Sequence, residues 1–275
     1  MNRWMSSRPV SATAASARWR TFTWSSTCAD CGSDYERENE HGEPSGRGDG
    51  MSHSSESVLA WLRENSSEDA REGMLRYGIP NERAFGLAMR DMKTYAKQIG
   101  KDHDLALTLW ESGWYEARTV AVFIAEPSAT TSAQMDAWAA DFDSWAICDT
   151  ACFHLFDRTR HAWGKVPKWA RARGEFKKRA AFALLWGLSG HDKEAEDQRF
   201  VDALKWIEHG AQDERLYVKK SVDMALRAIG KRNRTLNDAA RDIAARLAAD
   251  PARAPSWIGR HALRELESER VQTRL

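Results

Sequence analysis

Two nine-residue stretches, FKKRAAFAL from Phe176 and VKKSVDMAL from Val218, lie 42 residues apart, and ALR recurs at 225–227 and 262–264, 37 residues apart. Periods near 40 residues that each hold two helices belong to stacked arrays, where a helix pair buries its apolar face only against its neighbours. The periodicity from residue 56 to 268 agrees with this. Apolar residues recur at helical spacing over roughly 56–64, 67–76, 86–99, 102–111, 114–125, 132–140, 143–157, 162–171, 175–189, 198–209, 214–230, 235–248 and 255–268, with almost no strand alternation. Asp143 and Ser144 can cap one start, and Gly100, Gly190, Gly210 and Gly230 stand at expected ends.

The expected fold is therefore all-α: a HEAT-like or armadillo-like solenoid of stacked antiparallel helix pairs with a concave basic face, an irregular bundle being the alternative. Residues 51–275 form this array. Residues 1–50 do not read as foldable. Met1 to Ala29 lacks acids and is rich in Ser, Thr, Ala and Arg, and DYERENEHGEPSGRGDG after it is polar and aperiodic, so the segment reads as a disordered upstream extension, with a targeting role second. Cys28 and Cys31 form a lone C-x-x-C with His41 nearby; without a second pair at finger spacing, no metal or other cofactor is expected. No apolar run approaches a membrane span, which suggests a soluble, cytoplasmic monomer.

The net charge of only +1 does not announce a nucleic-acid partner, but an average hides local asymmetry. In the helix from Tyr217, residues Val218, Val222, Ala225, Leu226 and Ile229 form an apolar stripe, and Lys220, Met224, Arg227 and Lys231 share the other side. In the preceding repeat Phe176, Ala180, Ala183, Leu184 and Gly187 form the stripe, with Lys178 and Arg179 beyond its margin. Recurring cations on a solenoid would line one groove, the footprint of a phosphate backbone, although solvated helix faces are often basic for no such reason.

DFDSWAICDTACFHLFD, residues 141–157, poses a different problem. At about 100° per residue, Trp145, Asp149, Cys152 and Phe156 share one arc of a helix. An unpaired anion in a core stripe costs several kcal/mol, so Asp149 is either an ion-paired structural carboxylate or exposed in a cleft.

WESGWYEAR (110–118), DSWAICD (143–149), FKKRAAFAL (176–184) and VKKSVDMALR (218–227), in this order, resemble the DNA alkylation repair family of HEAT-like-repeat glycosylases. The similarity covers most of residues 77–267. It implies a monofunctional glycosylase that excises N3- and N7-alkylated purines from double-stranded DNA. On this resemblance Trp145 is the cleft tryptophan, Asp149 the catalytic aspartate, and Arg179 and Arg227 contact the DNA backbone. Met224 stands where the family has a second cleft tryptophan, and it lacks the π face that attracts a cation. Trp186 or Trp114 are candidates to compensate.

The chemistry is consistent with those residues. An alkylated purine is already a cationic leaving group, and bond breaking builds positive charge on the sugar. Anionic and π-rich surroundings suffice. Trp145 and Asp149, one turn apart with Cβ atoms about 5–6 Å apart, can present both to one sugar, and Asp149 can orient the attacking water. Lys178, Lys220 and Met224 join Arg179 and Arg227 as expected DNA contacts. The alternative, favoured by Met224, is a non-catalytic array that binds DNA or protein.

Overall fold

The computed structural model describes residues 53–275, so the expectations for residues 1–50, including Cys28, Cys31 and His41, lie outside the described residues. Among the described residues the fold is all-α, as the repeat period required. Fourteen α-helices follow one another: α1 (Ser55–Glu64), α2 (Glu68–Met74), α3 (Met89–Ile99), α4 (His103–Glu111), α5 (Tyr115–Ile124), α6 (Ser132–Ala140), α7 (Trp145–His154), α8 (Ala162–Ala170), α9 (Glu175–His191), α10 (Asp197–Ala211), α11 (Leu216–Ile229), α12 (Arg234–Ala248), α13 (Arg253–Leu266) and α14 (Glu269–Gln272).

They stack in two rows. One row runs α3, α5, α7, α9, α11, α13, each helix packed on the next; α4, α8, α10 and α12 pack as the antiparallel partners of α5, α9, α11 and α13. The interior is continuous along the array, because each helix pair leaves an apolar edge that the next pair covers. No helix among the described residues is long and apolar enough to cross a membrane.

Local chemistry accounts for the boundaries, with four departures from expectation. Ser54, Asp102, Thr131 and Asn233 cap α1, α4, α6 and α12 through their side chains. Ser144 holds the N-cap position of α7, but its hydroxyl makes no cap bond and is buried without a partner. The helix expected over 143–157 ends at His154. Leu155 breaks it and Phe156 starts a short 3-10 turn, although Phe156 remains fully buried. Gly100 and Gly230 end α3 and α11, whereas Gly190 and Gly210 lie just inside α9 and α10. Gly210 is there for close packing: a Cβ would sit 2.2 Å from the Phe182 ring of α9.

Residues 86–88, expected as the start of the helix over 86–99, are instead non-helical, and the segment is held by a buried carboxylate. Glu116, in the first turn of α5, accepts from the amides of Phe85 (2.8 Å), Gly86 (2.7 Å) and Leu87 (3.3 Å). Replacing Glu116 by Ala strands three amides, two of them in buried bonds. We expect a loss of about 3 kcal/mol or more in urea unfolding, and a loss under about 1 kcal/mol would show that the clamp contributes little.

Candidate functional site

Trp145 is the first residue of α7, and its indole N–H donates to the Tyr77 carbonyl at 2.8 Å, across 68 residues of sequence. One turn on, Asp149 lies in the seam between α7 and α9. Small residues make that seam close. Cys148 and Cys152 face α9, with sulfur 3.5 Å from the Phe176 carbonyl and 3.6 Å from that of Ala180. Burial pushes the Cys152 thiol well up, so it packs as a small neutral group.

The close approach lets Arg179, from the second turn of α9, grip Asp149 with both arms. Nε donates to Oδ1 at 2.8 Å, and Nη2 to Oδ2 at 2.6 Å. The third nitrogen, Nη1, donates to the Tyr217 carbonyl of α11 at 2.8 Å. The Arg179 side chain is 4% exposed and that of Asp149 10%. Burial alone would push the Arg179 guanidinium down; the charge and hydrogen bonds of Asp149 outweigh it and hold it above the usual arginine range. Of the two alternatives drawn for Asp149, the structure shows the ion-paired one: the carboxylate is buried, with 10% of its side chain exposed. Arg179 departs from expectation, being inside the stripe's margin, with its guanidinium committed to protein partners.

The remaining residues group differently. Lys178 is half-buried and pairs with Asp213 at 2.9 Å, which Arg215 also grips at 2.6 Å. Those cations hold the Asp213 carboxyl well below the usual range, the Arg215 hydrogen bond most strongly. Arg227, ten residues beyond Tyr217 on α11 and so about 15 Å further along the helix, pairs with Asp223 at 3.0 Å and with Glu265 of α13. Lys231 shares Glu265 at 2.8 Å. Lys220 is exposed and Met224 half-buried. The structure therefore unites Trp145, Asp149 and Arg179, leaves Lys220 open to solvent, and places Arg227 in a separate charge network. Trp114 stacks on Phe85 at 4.3 Å, while Trp186 packs edge-to-face on Phe153 at 4.6 Å in the α7–α9 seam.

Sequence reading missed Tyr77, Tyr217 and Glu265. Tyr77 and Tyr217 contribute main-chain carbonyls, which no side-chain pattern marks. Glu265 lies 38 residues after Arg227, a repeat-length spacing that could have flagged it. Among the described residues no group of three His, Cys, Asp or Glu is placed to hold a metal ion.

The chain matches the DNA alkylation repair enzyme family over residues 58–266 and belongs to it. Its fold is shared with a solved structure described as "a new family of proteins related to the HEAT-like repeat DNA glycosylases with affinity for branched DNA structures". That likeness has a TM-score of 0.63 at 22% identity and covers 70% of this chain and 83% of the other. Among curated proteins none matches significantly.

Breaking the buried pair from one side strands the other charge. Arg179→Met should cost about 3–5 kcal/mol in denaturant unfolding, and adding Asp149→Leu should recover much of it. A single-variant loss below about 1 kcal/mol would mean that water already shares the site.

The far end of α7 gives a pH dependence. His154 packs edge-to-face on Phe123 at 5.0 Å. Burial, then the nearby Lys93, Arg158, His191 and Lys101, pushes it down to about 3. Between about 3 and its unfolded value near 6.5 the unfolded chain binds the extra proton, so stability is full above that window and falls with pH through it. His154→Gln should flatten the fall in melting temperature between pH 6.5 and 4; an unchanged slope would assign it to other groups.

Proposed function

We propose that the protein hydrolyses the N-glycosidic bond of cationic N3- and N7-alkylated purines in double-stranded DNA, acting as a monomer without a cofactor. The observation that carries this reading is the placement of Trp145 and Asp149 on consecutive turns of α7, with the carboxylate more exposed than the guanidinium it pairs with. Asp149 acts through the 10% of its side chain that remains exposed. Because Arg179 fixes its rotamer, it does so without reorganisation as charge develops on the sugar. Arg179 is then a positioning residue and not a backbone contact.

Both carboxylate oxygens already accept from Arg179, so the part of Asp149 is electrostatic. The Trp145 ring adds its π face, held in orientation by the Tyr77 carbonyl. Lys220 contacts phosphate directly. Lys178 and Arg227 reach it by exchanging a carboxylate for a phosphate. Met224 supplies an apolar contact beside them.

A second reading, DNA binding without excision, is favoured by two observations. Arg179 occupies both oxygens of Asp149, and the solved structure that shares the fold is described by its affinity for branched DNA. Duplex containing N7-methylguanine separates the two at excess protein. Release of free base above the spontaneous rate, lowered about 100-fold in an Asp149→Asn variant shown to be folded at the assay temperature, supports excision. Salt-dependent binding without release leaves the second reading, and no binding at all removes both.

A further inference from the structure

We infer that the turn Leu75–Gly78 is a DNA-reading element, in which Leu75 and Tyr77 make apolar contact with bases at an unstacked or branched step beside Trp145. The inference rests on the DNA-binding part of the reading above and adds a recognition element to it.

Residues 67–86 leave the array and return. The base of this excursion is closed by the Ser67 amide on the Phe85 carbonyl at 3.0 Å. It is tightened at Gly86, which has a φ of +82° and where a Cβ would lie 2.2 Å from the Ser67 carbonyl oxygen. Glu116 pins the returning strand of chain to α5. Between these points neither α2 nor the 3-10 turn Leu75–Tyr77 buries a single residue. The segment is held by hydrogen bonds and not by burial: Arg71 Nη1 donates to the Asn81 carbonyl at 3.2 Å, and Asn81 Nδ2 to the Arg71 carbonyl at 3.0 Å.

Its tip is held as well. The Tyr77 carbonyl takes the Trp145 indole N–H at 2.8 Å. Gly78, at φ +67°, approaches Tyr217 so closely that a Cβ would stand 2.2 Å from the phenol oxygen. The tip thus bridges the first turn of α7 and the first turn of α11, on either side of Arg179 and its carboxylate partner. Displayed on it are Leu75 and Tyr77, 58% and 57% exposed, the two most exposed large hydrophobic residues among those described, with exposed Arg76 between them.

Single exposed apolar side chains are ordinary. Two on a turn fixed to the candidate site, flanking a cation, are a different arrangement. An apolar–cation–aromatic tip matches nucleic acid, where a phosphate takes the cation and base faces take the rest. Apolar wedges enter base steps at the cost of unstacking them, so a step already open is favoured over a perfect duplex. A pre-held turn also spends less ordering entropy on binding.

Fluorescence anisotropy with the full chain tests this, using a perfect duplex and a three-way branched DNA of the same base composition. Wild type should prefer the branched DNA. Leu75→Ser should cut that preference about five- to tenfold while leaving the salt dependence unchanged, and Arg76→Ala should reduce the salt slope by about one phosphate contact. A Leu75→Ser protein that keeps the full preference overturns the inference, as does a wild type that binds both DNAs equally; in either case DNA binding itself stands. A wild type that binds neither DNA overturns the inference and the DNA-binding reading together.

Discussion

The Asp149–Arg179 pair is the contact on which the geometry of the site depends, because it ties three helices of one row with one guanidinium. Asp149 comes from α7, Arg179 from α9 and the Tyr217 carbonyl from α11. Removing two charges from water is costly, and only short, fully used hydrogen bonds offset it. A lysine could not do so: its single ammonium has no planar fork to meet both carboxylate oxygens while reaching a carbonyl on a third helix. The interaction also needs close helices. Cys148 and Cys152 on α7, facing the carbonyls of Phe176 and Ala180, supply that closeness. Helix register, the seam's small residues and the ionic contact are therefore one constraint.

Much of this architecture was legible in the sequence and some was not, for identifiable reasons. The period near 40 residues implied stacked helix pairs because no isolated pair can cover its own apolar edge. What the helical wheel misjudged was Arg179. A wheel assigns one apolar stripe to each helix, which suits a helix with one neighbour. Helix α9 has α7, α11 and α8 against it, and residues from Arg179 through Leu185 are all buried. A cation at the margin of a single stripe is interior when the buried arc is this wide. Gly210 misled in a related way, since glycine marks both helix ends and close helix crossings, and only the Phe182 ring distinguishes them. The contact of Trp145 with Tyr77 was not readable at all, because its acceptor is a main-chain carbonyl 68 residues away in an aperiodic segment.

The recurring cations also acquire a different meaning. By sequence they line up from repeat to repeat. In space most of them meet an acid: Lys178 pairs with Asp213, Arg179 with Asp149 of α7, and Arg227 with Asp223 of its own helix and Glu265 of α13. Acids that recur alongside the cations keep the net charge at only +1. A phosphate approaching this row competes with carboxylates already in place, so the number of cations overstates the attraction.

How easily each cation changes partner follows from its solvation. Lys220 is exposed and needs no exchange. The Arg227–Glu265 pair has side chains 17% and 32% exposed, so water screens it and can hydrate the released carboxylate. Burial pulls the Arg227 guanidinium down, but Asp223 and Glu265 together hold it above the usual range, so it stays charged through any exchange. Arg179 is the opposite case. Releasing Asp149 would strand a carboxylate with little access to water, a cost that one phosphate contact does not return. The row thus divides by burial into cations able to exchange partners and one that must stay where it is, and the immobile one holds the acid one turn from Trp145.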